Sequence, residues 1–367
     1  MAIGLTGCDR TPDTVKIGVG QPLSGNLKAL GQDMLNGAQM AADEINAAGG
    51  VRVGGKRVRL EVVSQDDKAD AKAGEAAAHA LVEAHVIVAL AHLNSGVSIA
   101  AAPVYAQAGI PQFAISTKPA YTQLNLPTTL RLVANDNLQA RAMGEYAAQL
   151  GRAERFAVVD DSTPYGKGLA DDAGAAIAAR GKKIAVRQSL DDKTAEFAAL
   201  VAELAKTNTD VVVTTLSDFQ VEALIQQMNK AGLSRIRILG GDTIKTDRLQ
   251  KVAGLVQAIY ATSPIIEARE FANGAKFLAS FRERYKGEPV YGAHYAYDAV
   301  HLVADALTRN GSVDKAQLLE RLKTFDGSAP VTGSLRFGPD GEQRYGAIAV
   351  YELRAGQWSP LMRSDHW

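Results

Sequence analysis

The chain has 367 residues, 47% apolar and 22% charged, with 40 Lys plus Arg against 40 Asp plus Glu and a formal net charge of zero. That length exceeds what one hydrophobic core supports and suits two domains of ordinary globular composition. The even charge balance leaves no basic surplus to draw nucleic acid and no charged tail, and no run of about 18 apolar residues is present to span a membrane.

The first motif in the chain surrounds its single cysteine. Leu5-Thr6-Gly7-Cys8 resembles a bacterial lipobox, in which a leader is cut just before the cysteine and the new N-terminus is acylated. Small residues before the cut suit a narrow peptidase pocket. Only seven residues precede Cys8, short of a charged start and about 7–15 apolar residues. The motif therefore implies a cropped lipoprotein signal, with residues 1–13 as remnant and tether; the alternative is an incidental thiol. One cysteine excludes an internal disulfide.

From Thr14 onward, strand-like and helix-like segments alternate. Val15 to Val19 reads as a strand. Met34, Ala38, Ala41, Ala42 and Ile45 recur at helical spacing, and Gly49-Gly50 ends that helix. Arg57 to Val63 predicts a strand, its basic Lys56-Arg57 lying on a solvated edge, and Ala71 to Glu83 an Ala-rich helix. The continuous apolar run Val86 to Leu90 predicts a strand buried on both faces. Ser98 to Ala108 reads as a helix and Ile110 to Ile115 as a strand. A second series follows: helix Asp136 to Leu150, strand Phe156 to Val159, helix Leu169 to Arg180, strand Lys183 to Val186, helix Ala195 to Lys206, strand Val211 to Val213, helix Val221 to Ala231 and strand Ile236 to Leu239. Repeated βα units imply parallel sheets wrapped by helices. Helices over Phe271 to Tyr285, Tyr295 to Thr308 and Asp314 to Thr324 come next. Gly333 to Phe337 and Ile348 to Leu353, around the turn Gly338-Pro339-Asp340-Gly341, read as a closing strand pair.

Reactive constellations do not appear. There is no Walker loop, paired-histidine zinc helix, Cys-x-x-Cys or nucleophile elbow. Gly18-Val19-Gly20 opens like a dinucleotide fingerprint, but the third glycine is out of register and Pro22 follows. His92 and His294 read as cleft or packing residues rather than metal ligands. The expectation is a binding protein, not an enzyme, with no cofactor and no metal.

Several motifs in order resemble one family. They are Val15 to Val19 followed by Pro22-Leu23-Ser24-Gly25, then Gly37-Ala38 to Ile45-Asn46 with Gly49-Gly50, then Gln65-Asp66-Asp67. Pro164-Tyr165-Gly166 with Gly168-Leu169-Ala170 and Tyr295 to Ala299 complete the set. Over about residues 14–355 the chain resembles the leucine/isoleucine/valine type of periplasmic binding protein that serves ABC transporters. The resemblance implies a two-lobed type I α/β fold, each lobe an open, mostly parallel sheet flanked by helices, with three hinge crossovers. Lobe one would hold 14–135 plus 263–341, and lobe two 136–262 plus 342–367. It also implies a periplasmic, monomeric protein, lipid-anchored if Cys8 is acylated, that closes around an amino acid and delivers it to an ABC transporter permease. An amide, urea or small aromatic-acid sensor or binding protein of the same fold is the alternative.

An amino-acid zwitterion needs neutral donors for its carboxylate, an acid for its ammonium and a shaped wall for its side chain. Ser95, in the turn His92 to Ser98 between strand and helix, stands where a helix start offers unpaired donors; in the family the matching serine binds carboxylate. The rival role for Ser95 or Ser98 is simple helix capping. Thr117, with Ser116 beside it, matches a family threonine that donates through N–H and hydroxyl. Tyr165 matches a tyrosine that reaches across on closure. Asp242, one methylene shorter than the family's glutamate, would pair with the ammonium. Leu30 and Tyr291 would wall the side chain. Ser217 stands where relatives can have tyrosine, and Ala69 and Asn94 where relatives often pair cysteines, with Asn94 also a contact candidate.

Overall fold

The computed structural model describes residues 11–366, so Cys8 lies outside the described residues. The first half builds β1 (Thr14–Gln21), α1 (Lys28–Ala47), β2 (Val51–Val53), β3 (Lys56–Asp66), α2 (Ala71–Glu83), β4 (Val88–Ala91), α3 (Ser95–Gln107), β5 (Gln112–Ala114) and β6 (Thr129–Arg131). These strands form a six-stranded sheet in the order β2-β3-β1-β4-β5-β6. All neighbours are parallel except the β2–β3 hairpin, which turns through Gly54 and Gly55, both at positive φ. Every residue of β4 is buried, as a parallel strand covered by helices on both faces requires.

The second series gives α4 (Asp136–Gln149), β7 (Arg155–Asp160), α5 (Pro164–Ala178), β8 (Lys183–Ser189), α6 (Ala198–Lys206), β9 (Val211–Thr214), α7 (Asp218–Lys230), β10 (Arg237–Gly240) and β11 (Ala258–Ser263). It continues through α8 (Gly274–Tyr285), α9 (Ala293–Asn310), α10 (Lys315–Lys323), β12 (Asp326–Ala329), β13 (Gly333–Arg336), β14 (Ala349–Arg354) and β15 (Gln357–Arg363). The second sheet runs β15-β14-β11-β10-β9-β7-β8. Stripped of their edges, both sheets have the same doubly wound order, β3-β1-β4-β5-β6 and β8-β7-β9-β10-β11. In such sheets ligands sit beyond the carboxyl ends of the strands, where the order reverses.

Helix periodicity decides which side chains reach the cores. In α1 the buried stripe is Leu30, Met34, Ala38, Ala41 and Ala42, packed with Val300, Val303 and Leu307 of α9. Gly37 permits that closeness: a Cβ there would lie 1.9 Å from the Ala293 carbonyl oxygen. Thus α9 returns to the first sheet although β11 before it and β14 after it belong to the second. The chain passes between the sheets three times, after β6, after β11 and before β14.

The C-terminal strand pair is corrected. Gly333–Arg336 pairs antiparallel with β12, not with the strand at 349–354. β14 instead runs antiparallel to β11 on one side and β15 on the other. Five of its six residues are buried, so a lone hairpin partner would leave its backbone groups unsatisfied, and the second sheet supplies both neighbours. Two helices also begin before their apolar pattern. Thr163 Oγ1 accepts from Gly166 N at 2.9 Å with Pro164 at the first helical position, and α3 begins at Ser95 with Asn94 as its N-cap. The very short β2 and β6 carry too few residues for a period to register.

Candidate functional site

The loops after the carboxyl ends of both sheets enclose one cavity of about 540 Å³. From the first sheet come Ser24 to Leu27 after β1, Leu93 to Val97 after β4 and Ile115 to Thr117 after β5. From the second come Asp161 and Thr163 to Tyr165 after β7, Ser217 and Phe219 after β9, and Asp242 with Thr243 after β10. Ser95, Ser116, Thr117, Tyr165, Asp242, Tyr291, Asn94 and Ser217 all line it. Leu30 does not. Its place in the α1 stripe, four residues before Met34, turns it into the first core, and Leu27, one turn earlier, faces the cavity instead.

On the first-sheet side the start of α3 and the hydroxyls of Ser95, Ser116 and Thr117 are neutral groups, with Lys68 and Asp70 at the same edge. Ser95 opens α3, and Ser98 N is already satisfied by Asn94 O at 2.9 Å, which leaves the first-turn amides without intrahelical acceptors. No side chain caps them. Ser95 Oγ accepts from Lys118 N at 3.3 Å, and Ser116 Oγ donates to Ser98 Oγ at 2.8 Å. Beneath, His92 Nδ1 meets Asp67 Oδ2 at 2.7 Å with both side chains fully buried, and Tyr105 Oη lies 3.3 Å from His92 Nε2. This pair ties together the two loops that carry Ala69 and Asn94, without a covalent link. His294 is likewise buried, its Nε2 2.8 Å from Ile266 O, and burial pushes it down to about 4.

On the opposite side sits an acid. Asp242 is 4% exposed. Its Oδ1 accepts from the Tyr165 hydroxyl at 2.8 Å and from Gln139 Nε2 at 3.3 Å, and its Oδ2 from the Tyr291 hydroxyl at 2.7 Å. Gly241 makes the first of these possible, since a Cβ there would stand 2.2 Å from the Tyr165 hydroxyl oxygen. Burial first, and then the Asp242 charge, push both phenols well above their ordinary value, so both donate at neutral pH. Tyr291 is thus a hydrogen-bonding partner rather than a plain wall. It precedes α9, and its loop is held by Asp33, which accepts from the amides of Val290, Tyr291 and Ala293 at 2.8–3.0 Å. Burial nonetheless raises Asp33 to about 6.

A second acid escapes the sequence reading. Asp136, the first residue of α4, is 1% exposed, and neither of its oxygens has a well-formed hydrogen bond. Burial raises it to about 7; the Thr117 hydroxyl opposes that shift and the Asp242 charge adds to it. At the helix start it reads as an ordinary first-turn acid, and only its closeness to Asp242 marks it. Among the described residues no group of three or more His, Cys, Asp or Glu is placed to hold a metal, and no helix is long and apolar enough to cross a membrane.

Two facing sheet edges, donors on one and acid on the other, are the arrangement the resemblance implies, and the sequence profile of periplasmic binding proteins matches residues 14–357. The chain belongs to the periplasmic binding protein family. Among its relatives, Leu/Ile/Val-binding protein homolog 1 of Brucella abortus (strain 2308) is 30% identical over 344 residues, 93% of this chain and 91% of that protein. The branched-chain amino acid transporter substrate binding protein LivJ of Streptococcus pneumoniae, solved with isoleucine, superposes with a TM-score of 0.85 at 26% identity, covering 94% of this chain and 98% of that one. A solute binding protein of an ABC transporter from R. palustris, solved with benzoate, shares the fold at a TM-score of 0.83 and 19% identity, over 95% and 96% of the two chains. This member of the family is therefore a type I periplasmic binding protein in fold.

Proposed function

We propose that this chain captures an amino acid, with an aliphatic or branched-chain side chain favoured, by closing two lobes around it, and delivers it to the permease of an ABC importer. The observation that carries the reading is Asp242 facing Ser95 and Thr117 across one cavity. The first-lobe donors take the carboxylate. Asp242, with Asp136 behind it, takes the ammonium through charge-assisted bonds, the stronger kind of polar contact. Leu27, Leu93, Val97, Ile115 and Phe219 offer apolar surface to the side chain. Binding proteins named for leucine, isoleucine and valine among its relatives support the same ligand class.

In this reading lobe one comprises 14–135 plus 263–341, and lobe two 136–262 plus 342–367. Closure follows ligand only through contacts better made in the closed form, which Tyr165 and Asp242 supply. The protein works as a monomer outside the cytoplasm, the setting of its family, and is tethered by an acylated Cys8. Metabolic labelling of cells with a radioactive fatty acid, lost in Cys8→Ser, tests the tether.

The deciding experiment is a thermal-shift screen against the twenty amino acids, small aromatic acids and amides, since a ligand that binds only the folded state raises the melting temperature. The largest shift is expected with leucine, isoleucine or valine. A shift with benzoate or an amide and none with any amino acid overturns the reading.

A further inference from the structure

Three consecutive carbonyls of the segment after β5 are gripped from the hinge side. Arg131 Nη1 donates to Ser116 O, and its Nη2 donates to Lys118 O at 2.8 Å. Between them, Asp136 N donates to Thr117 O at 2.9 Å. Arg131 ends β6 immediately before the first passage between the sheets and is fully buried. The rest of its guanidinium meets Glu342, Nε to Oε2 at 3.0 Å and Nη2 to Oε1 at 3.2 Å. Glu342 lies in the third passage and accepts from Thr122 Oγ1 at 2.5 Å as well. The backbone of that passage docks beside it, Gly341 O accepting from Arg131 N at 2.9 Å.

A trans peptide is planar, so its C=O and N–H point in opposite directions. With Ser116 O turned towards Arg131, the Thr117 N–H faces away from Arg131, and both residues line the cavity. The following peptide obeys the same rule: Thr117 O faces Asp136 N, and Lys118 N–H faces Ser95 Oγ. A buried ion pair is weak evidence for stability. A rigid planar fork that holds two carbonyls while its other edge is fixed by a carboxylate is a device for orientation, which a lysine's single ammonium does not reproduce.

We propose that Arg131 is a positioning residue for the ligand carboxylate: it aims the Thr117 N–H into the cavity, and through Glu342 it ties that aim to the third passage between the lobes. This rests on the amino-acid reading above. The test uses leucine and leucinamide, which share side chain and ammonium and differ in the carboxylate, in calorimetric titrations of the full chain. The wild-type preference for leucine over leucinamide is expected to fall about tenfold in Arg131→Lys, and by a smaller factor in Glu342→Gln, with leucinamide affinity within about twofold of wild type. Equal losses for both ligands, leaving the ratio intact, mean that Arg131 serves only the fold and overturn the proposal. Wild-type protein that binds neither probe overturns this proposal, and the amino-acid reading falls with it when the screen above also finds no amino acid that binds, whereas wild-type binding with intact ratios in both variants overturns this proposal alone. If Arg131→Lys fails to fold, Glu342→Gln, which keeps the size and polarity of its side chain, decides in its place: a lowered ratio supports the proposal and an intact one overturns it.

Discussion

The two lobes share a strand order but not a chemistry. After β4 and β5 the first sheet offers a helix start, three hydroxyls and backbone amides; after β7 and β10 the second offers a tyrosine and a buried acid. In the proposed reading, the hydroxyls and amides at one carboxyl edge and Asp242 at the other match the two ends of a zwitterion. The difference also predicts an asymmetry. In the proposed reading the first lobe donates in part through backbone groups that substitution cannot delete, while the second lobe depends on side chains.

The largest break in that comparison comes from Asp242→Ala, expected to weaken amino-acid binding by well over tenfold in calorimetry, because charge-assisted hydrogen bonds exceed neutral ones. Unchanged affinity removes Asp242 from the site. Tyr165→Phe deletes one donor to Asp242, for an expected loss of about three- to tenfold, and Gly241→Ala, which displaces the same hydroxyl, should match it. Thr117→Val keeps the amide and loses only the hydroxyl, so its effect should be smaller, about threefold; a loss larger than that of Asp242→Ala reverses the asymmetry.

Proton release sharpens the picture further. Burial holds Asp136 at about 7, and an ammonium placed beside it favours the charged form. Binding near pH 6.5 should therefore release protons, read from calorimetry in buffers of different ionisation enthalpy. The release should vanish in Asp136→Asn and at pH 9. Its absence in the wild type places the ammonium away from Asp136. The same raised value sets the sign for stability: this carboxyl contributes fully below the ordinary 3.8, and the contribution is lost as pH climbs through about 7. The smallest effect is expected from Gly96→Ala. A Cβ there would approach Pro164 Cγ to 3.2 Å across the cleft, so closure should weaken and affinity fall by about twofold. Small-angle scattering with saturating ligand would report the opening directly.

Much of this is legible in residue order. Apolar runs such as Val86 to Leu90 and Val211 to Val213 announce buried parallel strands because their helices cover both faces, and Ala71–Glu83 matches its predicted span. Ser95, Thr117 and Asp242 stand out because each follows a strand end, a place that covalent sequence marks, and because each matches a position of the family that the chain resembles. Leu30 is misplaced because one helical turn separates wall from core, and the apolar pattern does not say which leucine faces which. Asp136 and Arg131 are passed over because nothing local distinguishes them from a first-turn acid and a strand-end base.

By itself, then, the sequence determined the alternation of strands and helices and the residue types at their ends, since both follow from short-range periodicity and turn chemistry. Tertiary structure decided which chain segments share a sheet, sending β14 to β11 rather than to β13. It also brought Tyr291 to the cavity, Asp136 close to Asp242 and Glu342 onto Arg131, with contacts that span 258 positions between Asp33 and Tyr291 and 211 between Arg131 and Glu342. Those choices depend on long-range burial and on satisfying buried polar groups, which no local window of sequence contains.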